Sequence, residues 1–161
     1  MNKILSTKQA INLAQKLRKQ NKSIVLAGGC FDVLHIGHIT FLKNAKKYGD
    51  FLFVLLESDE KIKEIKGKNR PINGQSDRAE ILSSFYFVDY VILLPLFKTN
   101  IEYDNLIKTI KPAIIATTKG DKLKFHKKRQ AKLVNAKVVE VIKNISNKST
   151  TKLIKILSED I

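Results

Sequence analysis

The fold is decided by one stretch of the chain, Ser23-Ile-Val-Leu-Ala-Gly-Gly-Cys-Phe-Asp-Val-Leu-His-Ile-Gly-His38. Its first five residues are mostly apolar and predict a buried strand, and the glycine pair that follows permits a tight turn. Residues 37–47 then place apolar side chains along one side of a helix. A buried strand that leads through a glycine turn into a helix is the repeating unit of parallel α/β sheets.

The rest of the chain repeats this alternation. Helices are predicted at about 6–20, with Ser6 as the N-cap, and at 59–66, 76–84, 100–110, 122–135 and 150–157; further strands are predicted at 51–56, 90–94, 113–116 and 137–142. The strands are apolar without strict alternation, so both faces of the sheet should be buried. We therefore predict one α/β domain over residues 1–161, with a five-stranded, mainly parallel sheet and an N-terminal helical segment (1–22) packed on it. Ligands of such sheets bind beyond the carboxyl ends of the strands.

Composition limits the class of protein. The chain has 161 residues, of which 43% are hydrophobic, so it can bury a sizeable core, and disorder as its dominant state is excluded. Its single cysteine excludes a disulfide scaffold within one chain and a cysteine-rich zinc module. We find neither a signal-peptide core nor an apolar run long enough to span a membrane, and we expect a cytoplasmic location.

The net charge of +15 implies anionic partners. Residues 119–155 hold twelve basic and two acidic residues, which leaves a non-catalytic nucleic-acid-binding domain as one interpretation. However, only four of the 30 cations are arginine, and Phe125 is the only aromatic residue in the basic segment. Nucleic acid is therefore not expected as the main partner.

Two histidines, His35 and His38, stand three residues apart where the second helix begins. On a helix they would share a face, next to backbone N–H groups and the positive end of the helix dipole, which is a suitable site for phosphates. A capping role and a metal-binding pair are the alternatives, although Cys30 would be the only soft ligand nearby. We interpret Cys30 as a small turn residue rather than a nucleophile.

The motif G-x-F-D-x-x-H-x-G-H, from Gly29 to His38, resembles that of the cytidylyltransferase-like nucleotidyltransferases. Similarity to the D-glycero-β-D-manno-heptose 1-phosphate adenylyltransferases covers nearly the whole chain. It extends over Ser58-Asp59, Lys66-Gly67, Arg70-Pro71-Ile72-Asn73, Asp77-Arg78-Ala79, Val88-Asp89 and Ser149-Thr150-Thr151. The resemblance implies a Rossmann-like, three-layer fold with helices on both faces of the sheet.

The resemblance also implies a site. The implied catalytic residues are His35, His38, Lys66 and Arg78, and the implied nucleotide-binding residues are Gly29, Cys30, Phe31, Asp32, Gly37, Gly120, Asp121, Ser149, Thr150 and Thr151. No metal ligand is assigned to the protein, because Mg²⁺ would be held mainly by the nucleotide phosphates. A homodimer is compatible with the resemblance.

We predict a transfer of AMP from ATP to a sugar 1-phosphate, with release of pyrophosphate and formation of an ADP-sugar. The acceptor implied by the resemblance is D-glycero-β-D-manno-heptose 1-phosphate. The alternative enzyme is a cytidylyltransferase that uses CTP and glycerol 3-phosphate or another alcohol phosphate, since glycerol-3-phosphate cytidylyltransferases share H-x-G-H and Ser-Thr-Thr.

Overall fold

The structure is a computed structural model that describes residues 2–142, and this part of the chain forms six strands and six helices. The strands are β1 (Ile4–Ser6), β2 (Ile24–Gly29), β3 (Phe51–Leu56), β4 (Tyr90–Leu93), β5 (Ile114–Thr118) and β6 (Lys137–Ile142). The helices are α1 (Thr7–Lys19), α2 (Ile36–Lys46), α3 (Asp59–Lys66), α4 (Gln75–Ser83), α5 (Asn100–Ile110) and α6 (Lys124–Val134). The helix predicted at 150–157 lies outside the described residues.

The sheet has the strand order β1-β4-β3-β2-β5-β6, and every pair is parallel. The α/β prediction with a parallel sheet is confirmed, but the prediction of five strands is wrong. The missed strand is β1, which pairs Ile4 with Val91 at the edge of the sheet. It is three residues long and runs directly into α1, whose N-cap is Ser6, so it is too short to show a strand period.

Helices cover both faces of the sheet, which makes three layers. One apolar cluster joins the sheet to α2 and α4 and includes Val25, Leu42 and Leu82. The other joins the sheet to α1, α5 and α6 and includes Ile24 and Leu26. Neighbouring residues of β2 thus point into opposite clusters, which explains why its sequence is continuously apolar.

All strands are parallel, but the side of the sheet on which successive strands are added changes at β2. From β2 the chain moves outward through β3 and β4 on one side, and later returns to place β5 and β6 on the other side. The loops that leave β2 and β5 therefore diverge at the carboxyl edge of the sheet. A crevice at such a switch point is the expected ligand site of an open α/β sheet.

Candidate active site

A cavity of about 830 Å³ opens at this switch point. Its walls come from the turn after β2, the end of β3 with α3, the segment between β4 and α5, and the segment between β5 and α6. Its volume lies in the range of small-molecule sites. The turn that carries the two histidines contributes to its wall, as the sequence predicted.

The two histidines cap the helix that they begin. His35 is the N-cap of α2, and its Nδ1 accepts a hydrogen bond from the Gly37 N–H at 3.1 Å. The His38 Nδ1 accepts from the His35 N–H at 3.4 Å, and the two rings stack with centroids 3.9 Å apart. Because each Nδ1 accepts a backbone hydrogen bond, a neutral ring carries its hydrogen on Nε2. Both side chains line the cavity, so capping and ligand binding are compatible roles.

The ring of His38 is neutral at physiological pH. Burial, together with the positive charges of His35 and Lys66, lowers the pKa of His38 from 6.5 to about 4. A neutral imidazole in this tautomer donates from Nε2 without first binding a proton. The pair can therefore offer hydrogen-bond donors to an anion at the positive end of α2.

The turn between β2 and α2 brings the backbone close to the cavity. Phe31 adopts φ +45, a left-handed conformation that is strained for a bulky side chain, and it is buried. Its ring meets the His38 ring edge-on, with centroids 5.4 Å apart. A Cβ at Gly29 would lie 3.0 Å from the nearest atom of the Phe31 ring. A side chain at position 29 would therefore require the buried Phe31 ring to shift.

Asp32 is not part of the cavity wall. Its side chain is fully buried and forms an ion pair with Arg70. The other carboxylate oxygen accepts from the backbone N–H groups of Ile72 at 2.8 Å and Asn73 at 3.2 Å. Asp32 thus attaches the loop between α3 and α4 to the histidine turn.

Arg78 connects the loops around the cavity instead of opening into it. Its guanidinium is fully buried and donates to the carbonyl oxygens of Asn73, Cys30 and Glu57. It also pairs with Asp59 at 2.6 Å. With four protein acceptors around its five N–H donors, the side chain holds three separate segments together.

Lys66 is exposed at the end of α3, and its charge acts on both His38 and Cys30. Burial raises the pKa of the Cys30 thiol, and the charge of Lys66 opposes this effect. Cys30 lines the cavity. A raised pKa keeps the sulfur protonated, which agrees with a turn residue rather than a nucleophile.

The segment after β5 is organised by Asp121. Its carboxylate accepts from the Thr117 hydroxyl and pairs with Lys127, both at 2.7 Å. Burial raises the pKa of Asp121, but these hydrogen bonds outweigh it and leave the pKa below its ordinary value. Gly120 forms the turn at φ +78, a conformation that favours glycine. Asp121 lines the cavity while its charge is balanced by Lys127.

Sequence reasoning missed a carboxylate in the cavity wall. Glu57 follows β3 directly, and its Oε2 accepts from the Tyr103 hydroxyl at 3.0 Å. Burial raises the pKa of Glu57, and the hydrogen bond from Tyr103 opposes this shift. The position of Glu57 beyond the carboxyl end of a strand could have indicated it. The sequence gives no comparable signal for Tyr103.

Ser149, Thr150 and Thr151 lie outside the described residues, so the structure does not place them. Within residues 2–142, no cluster of three His, Cys, Asp or Glu side chains could hold a metal ion. A divalent cation in this part of the chain would need most of its ligands from phosphate oxygens and water. In the same range, no helix is long and apolar enough to cross a membrane.

The fold and the histidine turn at its switch point are those of a nucleotidyltransferase domain. The chain belongs to the cytidylyltransferase-like family, whose profile matches residues 26–156. This result confirms the resemblance that the sequence motif indicated.

Curated relatives support the same assignment. The chain is 42% identical over 153 residues to the bifunctional protein HldE of Campylobacter fetus, with 91% of this chain and 31% of the relative covered. It is 41% identical over 148 residues to the bifunctional protein HldE of Aliarcobacter butzleri, with 92% of this chain and 29% of the relative covered. The chain therefore spans about a third of the length of these relatives.

Solved structures share the fold. The lipopolysaccharide core biosynthesis protein of Thermoplasma volcanium superposes with a TM-score of 0.61 at 28% identity, over 76% of this chain and 95% of the other. A pantoate-β-alanine ligase of Francisella tularensis, solved with β-γ ATP and β-alanine, gives a TM-score of 0.62 at 19% identity. The superposition covers 97% of this chain and 76% of the ligase, and at this identity the similarity concerns the fold alone.

Proposed function

We propose that this chain transfers AMP from ATP to a sugar 1-phosphate, releasing pyrophosphate and forming an ADP-sugar. The similarity to two HldE proteins and the sequence resemblance both favour D-glycero-β-D-manno-heptose 1-phosphate as the acceptor. An oxygen of the acceptor phosphate attacks the α-phosphorus of ATP. The bond from that phosphorus to the bridging oxygen breaks, and pyrophosphate leaves with the bonding electrons.

The stacked pair of His35 and His38 is the observation that carries this proposal. Their Nδ1 atoms are engaged with backbone N–H groups, so their remaining donors are on Nε2, next to the N-terminus of α2. Donors that are fixed before the substrate arrives stabilise charge that develops on phosphate oxygens, at no cost in reorganisation. Such positioning and electrostatic stabilisation is the main requirement of phosphoryl-type transfer.

Residues around the cavity support the transfer in different ways. We assign Lys66 to the phosphates on the sequence resemblance; it lies outside the cavity wall, but its charge acts on His38 and Cys30. Arg78 and Asp32 are positioning residues that hold the loops of the cavity. The segment with Gly120 and Asp121 would form the wall beside the nucleotide.

We expect Mg²⁺ to accompany the triphosphate. It would be held mainly by the phosphate oxygens and water, and it would neutralise part of the phosphate charge. The cytoplasmic location, the homodimer and a role of Ser149, Thr150 and Thr151 at the phosphates remain predictions.

Pyrophosphate release from ATP and heptose 1-phosphate tests the proposal. We expect His35→Asn and His38→Asn to lower turnover by about a hundredfold or more, because each removes a donor from the transition state. Lys63→Gln serves as a control, since Lys63 is exposed on α3 and has no place in the cavity wall. Unchanged turnover in both histidine variants, with intact folding by circular dichroism, would remove the assigned role.

Cytidylyl transfer is the second candidate, because the family that matches is described by cytidylyltransferases. A ligand that binds only the folded state raises the unfolding temperature, and at equal concentration the ligand that binds more tightly raises it further. Thermal unfolding with ATP and with CTP, at equal concentrations and with Mg²⁺, therefore separates the two candidates. Stabilisation by ATP alone agrees with adenylyl transfer, and stabilisation by CTP alone supports the second candidate.

A further inference from the structure

The wall of the cavity extends to both sides of the histidine turn, because β2 lies between β3 and β5 in the sheet, and we call the two sides its lobes. One lobe lies at the ends of β3 and β4 and is lined by Glu57, Lys61, Lys98 and Tyr103. The other lies at the end of β5 and is lined by residues between Thr118 and Gln130. With the histidines between the two lobes, two substrates can approach them from opposite sides. This inference rests on the proposed function and concerns the lobe at β3 and β4.

Glu57 is anchored at the edge of this lobe by its backbone. Its N–H donates to the Gly29 carbonyl oxygen at 3.2 Å, and its carbonyl oxygen accepts from Arg78 at 2.9 Å. Its charge also acts on Cys30. Because both backbone groups of Glu57 are hydrogen-bonded, its carboxylate is held beside the turn that leads to the histidines.

The carboxylate of Glu57 differs from the other acidic side chain in the cavity wall. Asp121 is paired with Lys127 at 2.7 Å. Glu57 makes no ion pair within residues 2–142, and in this range its carboxylate receives one hydrogen bond, from Tyr103. A half-buried carboxylate accepts up to about four hydrogen bonds, so most of its capacity is available to a ligand.

Tyr103 is fixed as firmly as its partner. Its ring packs edge-on against Phe97, with centroids 4.9 Å apart, and its hydroxyl donates to Glu57. The hydroxyl oxygen keeps its lone pairs as further acceptors. Together the two side chains present acceptor atoms that are positioned before a ligand binds.

We propose that Glu57 and Tyr103 determine the acceptor specificity of this chain by binding the hydroxyl groups of a phosphorylated polyol or sugar. A carboxylate repels phosphate and accepts hydrogen bonds from hydroxyl groups, so the uncharged part of the acceptor lies here. Lys61 and Lys98 line the same lobe and supply cations for its phosphate. The ribose of the nucleotide has the same hydroxyl chemistry, and the experiment distinguishes the two sources.

Steady-state kinetics of Glu57→Gln and Tyr103→Phe, with ATP and heptose 1-phosphate varied in turn, test the proposal. Hydrogen bonds to a charged group are strong, so Glu57→Gln should raise the KM for the acceptor by about tenfold to a hundredfold. We expect kcat to change by only a few fold, and the KM for ATP to stay the same. Tyr103→Phe should also raise the KM for the acceptor, but by a smaller factor.

Glu80→Gln is the matched control, because Glu80 is exposed on α4 and lies outside the cavity wall. A rise in the KM for ATP alone would assign the pair to the ribose and overturn the proposal, as would unchanged constants in both variants. Calorimetric titration with heptose 1-phosphate provides a readout that needs no turnover. If the wild type binds this sugar phosphate but releases no pyrophosphate, only the proposed function fails, and weaker binding by Glu57→Gln would still support the specificity role. Equal binding by the two proteins would overturn it.

Discussion

Acidification should destabilise this protein through His38. Its pKa is lowered from 6.5 to about 4 in the folded chain, mainly by burial. As the pH falls through this interval, the unfolded chain binds a proton that the folded chain does not. The stability contributed by the neutral ring is therefore complete above the unfolded pKa and is lost as the pH falls toward the folded value.

The size of the effect follows from the two pKa values. The interval from 6.5 to about 4 corresponds to about 3 kcal/mol of unfolding free energy, most of which is lost by about pH 4.5. Carboxylates also protonate in this range, so the wild type alone does not isolate the histidine. The difference between the wild type and His38→Asn does, because asparagine retains an acceptor for the His35 N–H but does not titrate.

Urea unfolding of both proteins at about pH 7.5 and about pH 4.5 measures this difference. We expect the wild type to lose about 2–3 kcal/mol more than His38→Asn between the two conditions. NMR titration gives an independent value, since the chain has only three histidines to assign. Equal losses in the two proteins, or a His38 ring that titrates near its ordinary pKa, would refute the reasoning.

The remaining predictions concern the turn and the loops. Gly29→Ala should lower the free energy of unfolding by about 1–3 kcal/mol, because the new Cβ would meet the Phe31 ring. Gly28→Ala should lower it little, because the nearest atom to a Cβ at that position is 3.7 Å away. Urea unfolding of the two variants checks both values. Asp32→Asn should speed amide hydrogen exchange at Ile72 and Asn73, and unchanged exchange at both would contradict its anchoring role. Arg78→Leu should destabilise the fold by about 3–5 kcal/mol, because it leaves a buried hydrogen-bond network without its donor, and a thermal unfolding temperature near that of the wild type would contradict this.

The sequence was sufficient for elements with a clear apolar pattern. The predicted bounds of β3, α3, α5 and β6 are confirmed, since each is an apolar or amphipathic run between polar or turn residues. Strand β1 was missed because its three residues make their hydrogen bonds with β4, far away in the chain. Such a strand is defined by its tertiary partner and has no local signal.

In the site, too, features set by neighbouring residues could be predicted from the sequence, and contacts between distant residues could not. The spacing of His35 and His38 is local, and the structure brings both to the cavity wall. The direction of the Arg78 side chain is decided by three loops that are distant in sequence, so its motif could not show that it is buried. The pairing of Glu57 with Tyr103 also joins residues far apart in the chain.

The basic segment is better explained by the structure than by its composition. Of its described cations, Lys124 pairs with Glu140, Lys127 with Asp121, and Arg129 with Asp104. Lys127 also lines the cavity. Part of the positive charge thus serves ion pairs within the fold, one of which lies in the wall of the cavity.

The most direct test of the account is to identify the product by ³¹P NMR and mass spectrometry. The purified chain would be incubated with Mg²⁺, heptose 1-phosphate and each of the four nucleoside triphosphates, with glycerol 3-phosphate as the alternative acceptor. The account predicts ADP-heptose and an equal amount of pyrophosphate from ATP and heptose 1-phosphate. CDP-glycerol as the only product would contradict the proposed substrates, and the absence of pyrophosphate from every pair would contradict nucleotidyl transfer.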